Sequence, residues 1–294
     1  MAQLSRQYCK LCDLRDFDDP RLREKIREII APGPTEHEQL RRKFWEYAML
    51  ALYLEEVGAI HEQAEVLAVA AGHEEPLYWM ANRVRRMLAT DIYGEGEFSY
   101  REAAATMLTD ASAFAPYPYR EDHLDARSMN ALALDLPAES FDVVYSLSSI
   151  EHFGSPAQIA TAAREMTRVL RPGGHLVIVT ECFVGRHPLD APLVQFAIRL
   201  ATLGRRCPTA TPRQRVTDVL TAAELQRDIV GPSGLQLAQP LDETISPETY
   251  DNLITWVGDD ELHPRSGDPY PHILLKGYGS PWTSAFLALR KDAG

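Results

Sequence analysis

The stretch from residue 141 to residue 180 constrains the fold more than any other part of the chain, because it has the order strand, polar loop, helix, glycine turn, strand. Phe141–Leu147 is an apolar run rich in β-branched residues, and Pro156–Leu170 carries apolar residues at helical spacing. Arg-Pro-Gly-Gly at 171–174 ends the helix, and Leu176–Val179 is the next strand. This strand–helix–strand unit predicts an α/β protein with a parallel sheet.

A cluster of polar residues lies where the first of these strands ends. Ligands of open α/β sheets bind beyond the carboxyl ends of the strands, so we expect this cluster to lie at a ligand site. Its members are Ser146, Ser148, Ser149, Glu151 and His152.

The same segment resembles the second half of the class I S-adenosylmethionine-dependent methyltransferases. The FDVV strand that begins at Phe141, the RVLRPGG turn at 168–174 and the apolar strand that follows are characteristic late motifs of that family. The resemblance implies a Rossmann-like sheet of seven strands, mostly parallel, with an antiparallel last strand. It also implies S-adenosylmethionine as the cofactor, and it directs attention to the region upstream of Phe141.

An apolar strand upstream runs into a turn of small residues at Ala70, Ala71 and Gly72. After a helical segment, a second strand ends at Asp91, which lies 19 positions after Gly72. Nucleotide-binding units place an acid about twenty residues beyond the glycine turn, where it accepts hydrogen bonds from ribose hydroxyls. Asp91 is therefore the predicted ribose ligand.

This turn departs from the family pattern, which has an acid on the first strand and three glycines. Ala68 occupies the place of the acid, while Ala70 and Glu74 occupy the places of the first and last glycines. The AGHEE string at 71–75 resembles a bacterial small-molecule subgroup with a Gly-Ala-Gly-His-Glu loop, against which only Ala70 departs. The methyl group of Ala70 costs little at negative φ and more if the turn needs a positive φ.

Two further positions complete the predicted cofactor site. Glu74 could receive the amino group of the cofactor, or it could be an ordinary first-turn residue favoured by the helix dipole. Asn130 stands where the family has an acid that receives the adenine amino group, and its carbonyl oxygen could accept the same bond. The predicted cofactor-binding residues are Ala70, Gly72, His73, Glu74, Asp91, Ile92, Asn130, Ala131 and Ser146.

His152 is the predicted catalytic base, since methylation of a hydroxyl requires a group that takes its proton and a histidine titrates near neutral pH. Glu151 is the second predicted catalytic residue, although adjacent side chains need not touch; either residue could instead cap the following helix. Glu181, at the end of a strand, is a predicted substrate residue. Glu151, His152 and Glu181 could alternatively hold a divalent metal, but no compact ligand motif supports this, and we predict no metal.

Helical patterns dominate the first seventy residues, where Arg21–Ile30 and the range 36–56 carry apolar residues at helical spacing. We expect residues 1–60 to form a helical cap and residues 61–294 the α/β domain, with an insertion at about 183–220. Trp45 and Tyr47 could line a substrate pocket, or they could simply pack in the core. Two strand-like runs near the C-terminus fit a terminal hairpin with an antiparallel last strand.

Composition limits the kind of partner. The 294 residues carry a net charge of −12, which argues against nucleic acid and anionic membranes. No signal peptide is visible and no apolar run approaches the ~20 residues of a membrane helix, so we expect a cytoplasmic protein. A homodimer is a separate possibility. Cys9 and Cys12 have zinc-like spacing without a second pair, and reduced structural thiols are the simpler interpretation.

These observations predict methyl transfer from S-adenosylmethionine to a small polar metabolite, most simply to a hydroxyl oxygen of a sugar or natural product. The polar loop and the acidic surface favour an uncharged or cationic acceptor. Three alternatives stay open: an N- or C-methyltransferase, an inactive methyltransferase-like scaffold suggested by Ala68 and Ala70, and a nicotinamide-dependent oxidoreductase. The absence of a G-x-G-x-x-G run argues against the last of these.

Overall fold

A computed structural model describes residues 4–31, 33–96, 98–185, 196–197, 200–203, 218–257, 261–264, 267–276 and 280–293. One mixed sheet organises this part of the chain. Its main path has the strand order β4-β3-β2-β5-β6-β11-β10-β8-β9, and β1 and β7 both pair with β11. The strands are β1 Lys10–Leu11, β2 Glu65–Val69, β3 Arg86–Asp91, β4 Leu124–Ser128, β5 Phe141–Leu147, β6 Leu170–Phe183, β7 Gln236–Leu237, β8 Ile254–Val257, β9 Glu261–Pro264, β10 Leu275–Lys276 and β11 Trp282–Arg290.

The five strands from β4 to β6 run parallel, as the strand–helix–strand pattern predicts. The last strand, β11, pairs antiparallel with β6 over nine residues, which confirms the expected antiparallel last strand. Because β2 pairs with β3 on one side and with β5 on the other, the chain reverses its direction of winding across the sheet at β2. A ligand crevice is expected at this point, beyond the carboxyl ends of β2 and β5.

The expected count of seven strands is wrong for the described residues, which form eleven strands. The additional strands are short, and the short strands β1, β7 and β10 each pair with β11. One of these short strands, β9, pairs antiparallel with β8. Strands of two to four residues leave too little alternation for a sequence pattern to register. Half of the strand pairs are antiparallel, so the expectation of a mostly parallel sheet holds for the part from β4 to β6 and not for the whole sheet.

Helices cover both faces of the sheet. The principal helices are α1 Pro20–Ile29, α2 Arg42–Glu56, α3 Pro76–Ala81, α4 Pro156–Val169, α5 with α-helical ends Ala222–Glu224 and Gly231–Ser233 around a π-helical centre Leu225–Val230, and α6 Pro247–Asp251. One apolar core lies between the sheet and helices α1 to α3, and a second lies between the opposite face and helices α4 and α5. Most of the predicted insertion at 183–220 lies outside the described residues.

Helix α2 begins at Arg42, six residues later than its pattern predicts. Residue Arg41 is extended, and the Arg42 N–H donates to the carbonyl oxygen of His272 at 2.9 Å. In a helix that began before Arg42, this N–H would instead donate to a carbonyl oxygen of the same helix. The consequence of the later start is that the N-terminal end of α2 lies at the crevice.

Candidate cofactor and acceptor site

A cavity of about 1120 Å³ lies at the carboxyl ends of β2, β3 and β5. This volume is slightly above the ~300–1,000 Å³ that small-molecule sites usually have, and it leaves room for a nucleoside cofactor together with a second small molecule. The turn after β2, the segment that follows β3, the loop after β5, the first residues of α2 and the range 269–272 all contribute to its wall.

The turn after β2 adopts the left-handed backbone conformation twice. Ala70 has φ of 53° and Gly72 has φ of 49°. A Cβ atom on Gly72 would lie 2.4 Å from the carbonyl oxygen of Glu102, so only glycine fits there. Ala70 therefore has the positive φ at which its methyl group causes strain, which is one of the two possibilities that the sequence left open. The Ser149 hydroxyl donates to the Ala70 carbonyl oxygen at 2.9 Å, which helps to hold this conformation.

Asp91 ends β3 and fastens this turn. Its Oδ2 accepts from the Gly72 N–H at 2.9 Å, and its Oδ1 accepts from the Ile92 N–H at 2.7 Å. Burial raises the pKa of this carboxyl group above its usual range. Each oxygen keeps a further lone pair, so the carboxylate can still accept hydrogen bonds from a ligand in the cavity.

The neighbouring loop brings Asn130 and Ala131 to the same cavity. The Oδ1 atom of Asn130 accepts from the Leu132 N–H at 2.9 Å, and the Met129 N–H donates to the Asp91 carbonyl oxygen at 2.9 Å. These bonds orient the loop and leave one lone pair of the Asn130 side-chain oxygen for a ligand donor.

His73 and Glu74, which follow Gly72, have different surroundings. The His73 ring stacks on Phe114 with centroids 4.3 Å apart, and its Nε2 lies 2.9 Å from the Arg101 carbonyl oxygen, so His73 braces the segment that follows β3. Glu74 forms an ion pair with Lys43. Its Oε2 is buried without a hydrogen-bond partner, and burial raises its pKa to about 7.

His152 lies in the cavity wall and pairs with Asp218, which no sequence motif indicates as a site residue. The His152 Nδ1 is 2.8 Å from the Asp218 Oδ2, and the ring of Phe98 lies 5.1 Å from the imidazole. A carboxylate at Nδ1 favours the tautomer with the proton on that atom and leaves Nε2 as an acceptor. The two residues are 66 positions apart, so no local pattern could have found the pair.

Three predicted site residues do not line the cavity. Trp45 is fully buried against Phe286, and its Nε1 donates to Asp16 at 2.8 Å, so it is a core residue. Ser146 is also buried inside the sheet. Glu151 is turned inward, where it accepts from the Thr180 hydroxyl at 2.8 Å, and it is not the partner of His152.

The remaining predicted residues do lie in the cavity wall, including Ile92 and the substrate candidates Tyr47 and Glu181. Burial raises the pKa of the Tyr47 hydroxyl well above its usual value. Glu181 pairs with Arg42, and the two side chains close one part of the wall. Arg41, Arg42 and Lys43 also line the cavity.

The metal alternatives gain no support from the described residues. These contain no group of three or more histidine, cysteine, aspartate and glutamate side chains placed to hold an ion. Cys9 and Cys12 are both buried, and burial raises the pKa of both thiols, which disfavours the thiolate form that zinc requires.

Residues 67–178 match the family model of the methyltransferase domain. The matched segment runs from β2 into β6 and includes the turn after β2, Asp91 and the loop after β5. The protein is an enzyme, and S-adenosylmethionine is its cofactor. The residues present suit that cofactor: a turn too close to Glu102 for any side chain at Gly72, an acid at the end of β3, and a buried oxygen of Glu74 without a hydrogen-bond partner.

Comparison with solved structures gives matches at low sequence identity. A protein from Galdieria sulphuraria, provisionally assigned as a sarcosine dimethylglycine methyltransferase, aligns with 94% of this chain and 99% of its own, at 13% identity and a TM-score of 0.50. The YcgJ protein from Bacillus subtilis aligns with 83% of this chain and 98% of its own, at 17% identity and a TM-score of 0.48. None of the curated proteins is significantly similar in sequence. No helix in the described ranges is long and apolar enough to cross a membrane.

Proposed function

We propose that this methyltransferase methylates a hydroxyl oxygen of a small polar metabolite. The observation that carries this proposal is the His152–Asp218 pair in the wall of the cavity, 2.8 Å apart. A hydroxyl is a weak nucleophile and must lose its proton during transfer, so it needs a base, whereas an amine that is already neutral can react without one. A sugar or a natural product with a free hydroxyl fits this chemistry.

In the proposed arrangement Asp91 accepts hydrogen bonds from the ribose hydroxyls of the cofactor. The unpartnered Oε2 of Glu74 accepts a hydrogen bond from the amino group of the cofactor's methionine part. The side-chain oxygen of Asn130 accepts one from the adenine amino group. When bound, S-adenosylmethionine supplies an electrophilic methyl group. Ala70, Gly72, His73, Ile92 and Ala131 then form the surface against which the cofactor rests.

The chemical role of this chain in the proposed reaction is to hold and move one proton. The Nε2 atom of His152 accepts the proton of the acceptor hydroxyl, while the Nδ1–H donates to Asp218. Asp218 thereby orients the ring. Glu151 takes no direct part in this scheme, because it lies behind the wall.

Replacement of the two partners tests the proposal. We expect His152→Asn to lower turnover by about 10²–10⁴ and Asp218→Asn to lower it by about tenfold or more. The dissociation constant for S-adenosylmethionine, measured by calorimetry, should stay within about twofold in both variants. Release of S-adenosylhomocysteine with a panel of hydroxyl compounds gives the turnover.

His61→Asn is the matched control, because His61 lies outside the cavity. Full turnover by His152→Asn would remove His152 as the base and favour an N- or C-methyltransferase. If Asp91→Asn binds S-adenosylmethionine as tightly as the unaltered protein does, then the proposed cofactor contacts are wrong. Failure of the unaltered protein to bind S-adenosylmethionine at millimolar concentration would support the scaffold alternative.

A further inference from the structure

Helix α2 presents an unusual set of residues at its N-terminal end, which lies in the cavity wall. Arg41 is the N-cap residue and makes no side-chain capping bond, and no acidic residue lies in the first turn. Arg42 and Lys43 follow it. Helix dipoles and unpaired N–H groups favour acidic or hydroxyl side chains at this end, so three cations in succession oppose the local preference.

Two of these three cations are neutralised within the protein. Arg42 pairs with Glu181 and lies 3.4 Å from Glu46, which is fully buried. Lys43 pairs with Glu74 and lies 3.4 Å from the second oxygen of Glu46. Their charges are therefore used in holding α2 to the sheet and to the turn after β2.

Arg41 differs, since no carboxylate among the described residues lies within salt-bridge distance of it, although its charge acts on Glu38. Its guanidinium group lies over the ring of Tyr270, 4.9 Å from the centroid, and donates to the Tyr270 hydroxyl. Its Nε is buried and has no hydrogen-bond partner. Arg41, Tyr270 and the neighbouring His272 all line the cavity. A positioned guanidinium with an unsatisfied donor is the group that proteins use to bind carboxylates.

We propose that the methyl acceptor carries a carboxylate, which binds to Arg41 and the Tyr270 hydroxyl. This inference rests on the proposed function and narrows its substrate class from a polar hydroxyl compound to a hydroxy acid. It also departs from the uncharged or cationic acceptor that the net charge of −12 favours. Overall charge averages over the whole surface, whereas recognition depends on the few groups that line the cavity.

A singly charged carboxylate suits this place better than a phosphate does. Burial lowers the pKa of His272 to about 4, so this histidine is neutral near pH 7 and adds no second cation. The cavity wall also carries several carboxylates, among them Asp91, Glu95 and Glu102. A phosphate with its charge of about −1.5 to −2 would meet Arg41 and this acidic lining.

A panel of hydroxy acids, each paired with its carboxamide, tests the inference. One such pair is 3-hydroxybenzoate and 3-hydroxybenzamide. Calorimetry with the free protein and with the S-adenosylhomocysteine-loaded protein measures binding without turnover, and S-adenosylhomocysteine release measures kcat and KM. We expect acids to be favoured over their amides by tenfold or more in binding and in kcat/KM.

Variants of Arg41 identify the residue responsible. Arg41→Gln should raise KM for the acids tenfold or more and change KM for the amides by less than twofold. The affinity for S-adenosylmethionine should be unchanged. Arg41→Lys keeps the charge and should recover part of the loss. Arg85→Gln is the control, because Arg85 is an exposed arginine that lies 3.6 Å from Glu65 and outside the cavity.

Three results would overturn the inference: no acid in the panel binds more tightly than its amide, Arg41→Gln weakens acids and amides equally, or phosphorylated hydroxyl compounds are preferred over the acids. A different set of results would show that the proposed function itself is wrong. In that case acids bind to Arg41 in calorimetry, but His152→Asn leaves turnover unchanged or S-adenosylmethionine does not bind.

Discussion

Glu151 and His152 are neighbours in the chain, yet their side chains meet different surroundings. His152 reaches the cavity and pairs with Asp218, whereas Glu151 is only 2% exposed and faces Thr180. Burial, followed by the negative charge of Glu181, raises the pKa of Glu151 to about 7. A sequence shows that two residues are adjacent, but the backbone direction in the short helical turn that contains them decides which one meets a ligand.

The raised pKa of Glu151 predicts a dependence of stability on pH. The folded state keeps this proton up to about pH 7, while the unfolded chain releases it near the ordinary value of 4.5. The stability contributed by this group is therefore complete below about pH 4.5 and is lost as the pH rises to about 7. Glu151→Gln mimics the protonated form, so we expect the variant to be about 2–3 kcal/mol more stable than the unaltered protein at about pH 8 and equally stable near pH 4.5.

Urea unfolding at several pH values measures this difference. Glu121→Gln is the control, since it removes an exposed acid and should change stability by less than about 0.5 kcal/mol. A constant difference between Glu151→Gln and the unaltered protein across the pH range would contradict the assignment of this titration to Glu151.

At the scale of an element, the turn after β2 shows how a local departure from a family pattern is tolerated. Ala70 holds a left-handed conformation at φ of 53° although it has a side chain. The bond from Ser149 to its carbonyl and the bond from Gly72 to Asp91 hold the turn from both sides. The conformation is therefore imposed by neighbouring segments, and the alanine bears the strain.

Ala70→Gly should relieve this strain. The left-handed conformation costs an L-residue about 1–2 kcal/mol, and glycine loses about 0.5–1 kcal/mol of that gain to its greater freedom when unfolded. We expect a net stabilisation of about 0.5–1 kcal/mol in urea unfolding, with S-adenosylmethionine affinity retained.

Ala71→Gly is the matched control because Ala71 is the adjacent alanine and is not in the left-handed region. It should lose about 0.5–1 kcal/mol of stability. If both variants lose stability by the same amount, Ala70 is not strained in the way described.

At the scale of the whole molecule, the N-terminal residues belong to the same packing as the sheet. Strand β1 pairs with β11, and α1, α2 and α3 share one apolar core with the sheet. Helix α2 also carries the cations that pair with Glu181 and Glu74 at the cavity. The division into a cap at 1–60 and a domain at 61–294 stays a prediction, and these contacts indicate that the two parts depend on each other.

Deletion of residues 1–60 measures that dependence. It removes β1, α1 and α2 and uncovers one apolar face of the sheet, including the surroundings of Phe286. We expect residues 61–294 alone to bind the dye ANS and to lose both the near-UV circular dichroism signal and a cooperative thermal transition.

Co-expression of residues 1–60 as a separate chain is the control and should restore the cooperative transition. If residues 61–294 alone unfold cooperatively and bind S-adenosylmethionine, the N-terminal part is an independent cap and the two parts do not depend on each other.

The sequence by itself determined the parallel half of the sheet, the crevice beyond β2 and β5, and the positions of Gly72 and Asp91 in it. Those features depend on apolar runs, turn residues and spacings within about twenty positions, which a sequence records directly. Only the tertiary structure decided the rest: the His152–Asp218 pair, the inward turn of Glu151, and the meeting of Arg41 with Tyr270 across 229 positions. Contacts between such distant residues depend on how whole elements pack, and no local pattern of residues encodes that packing.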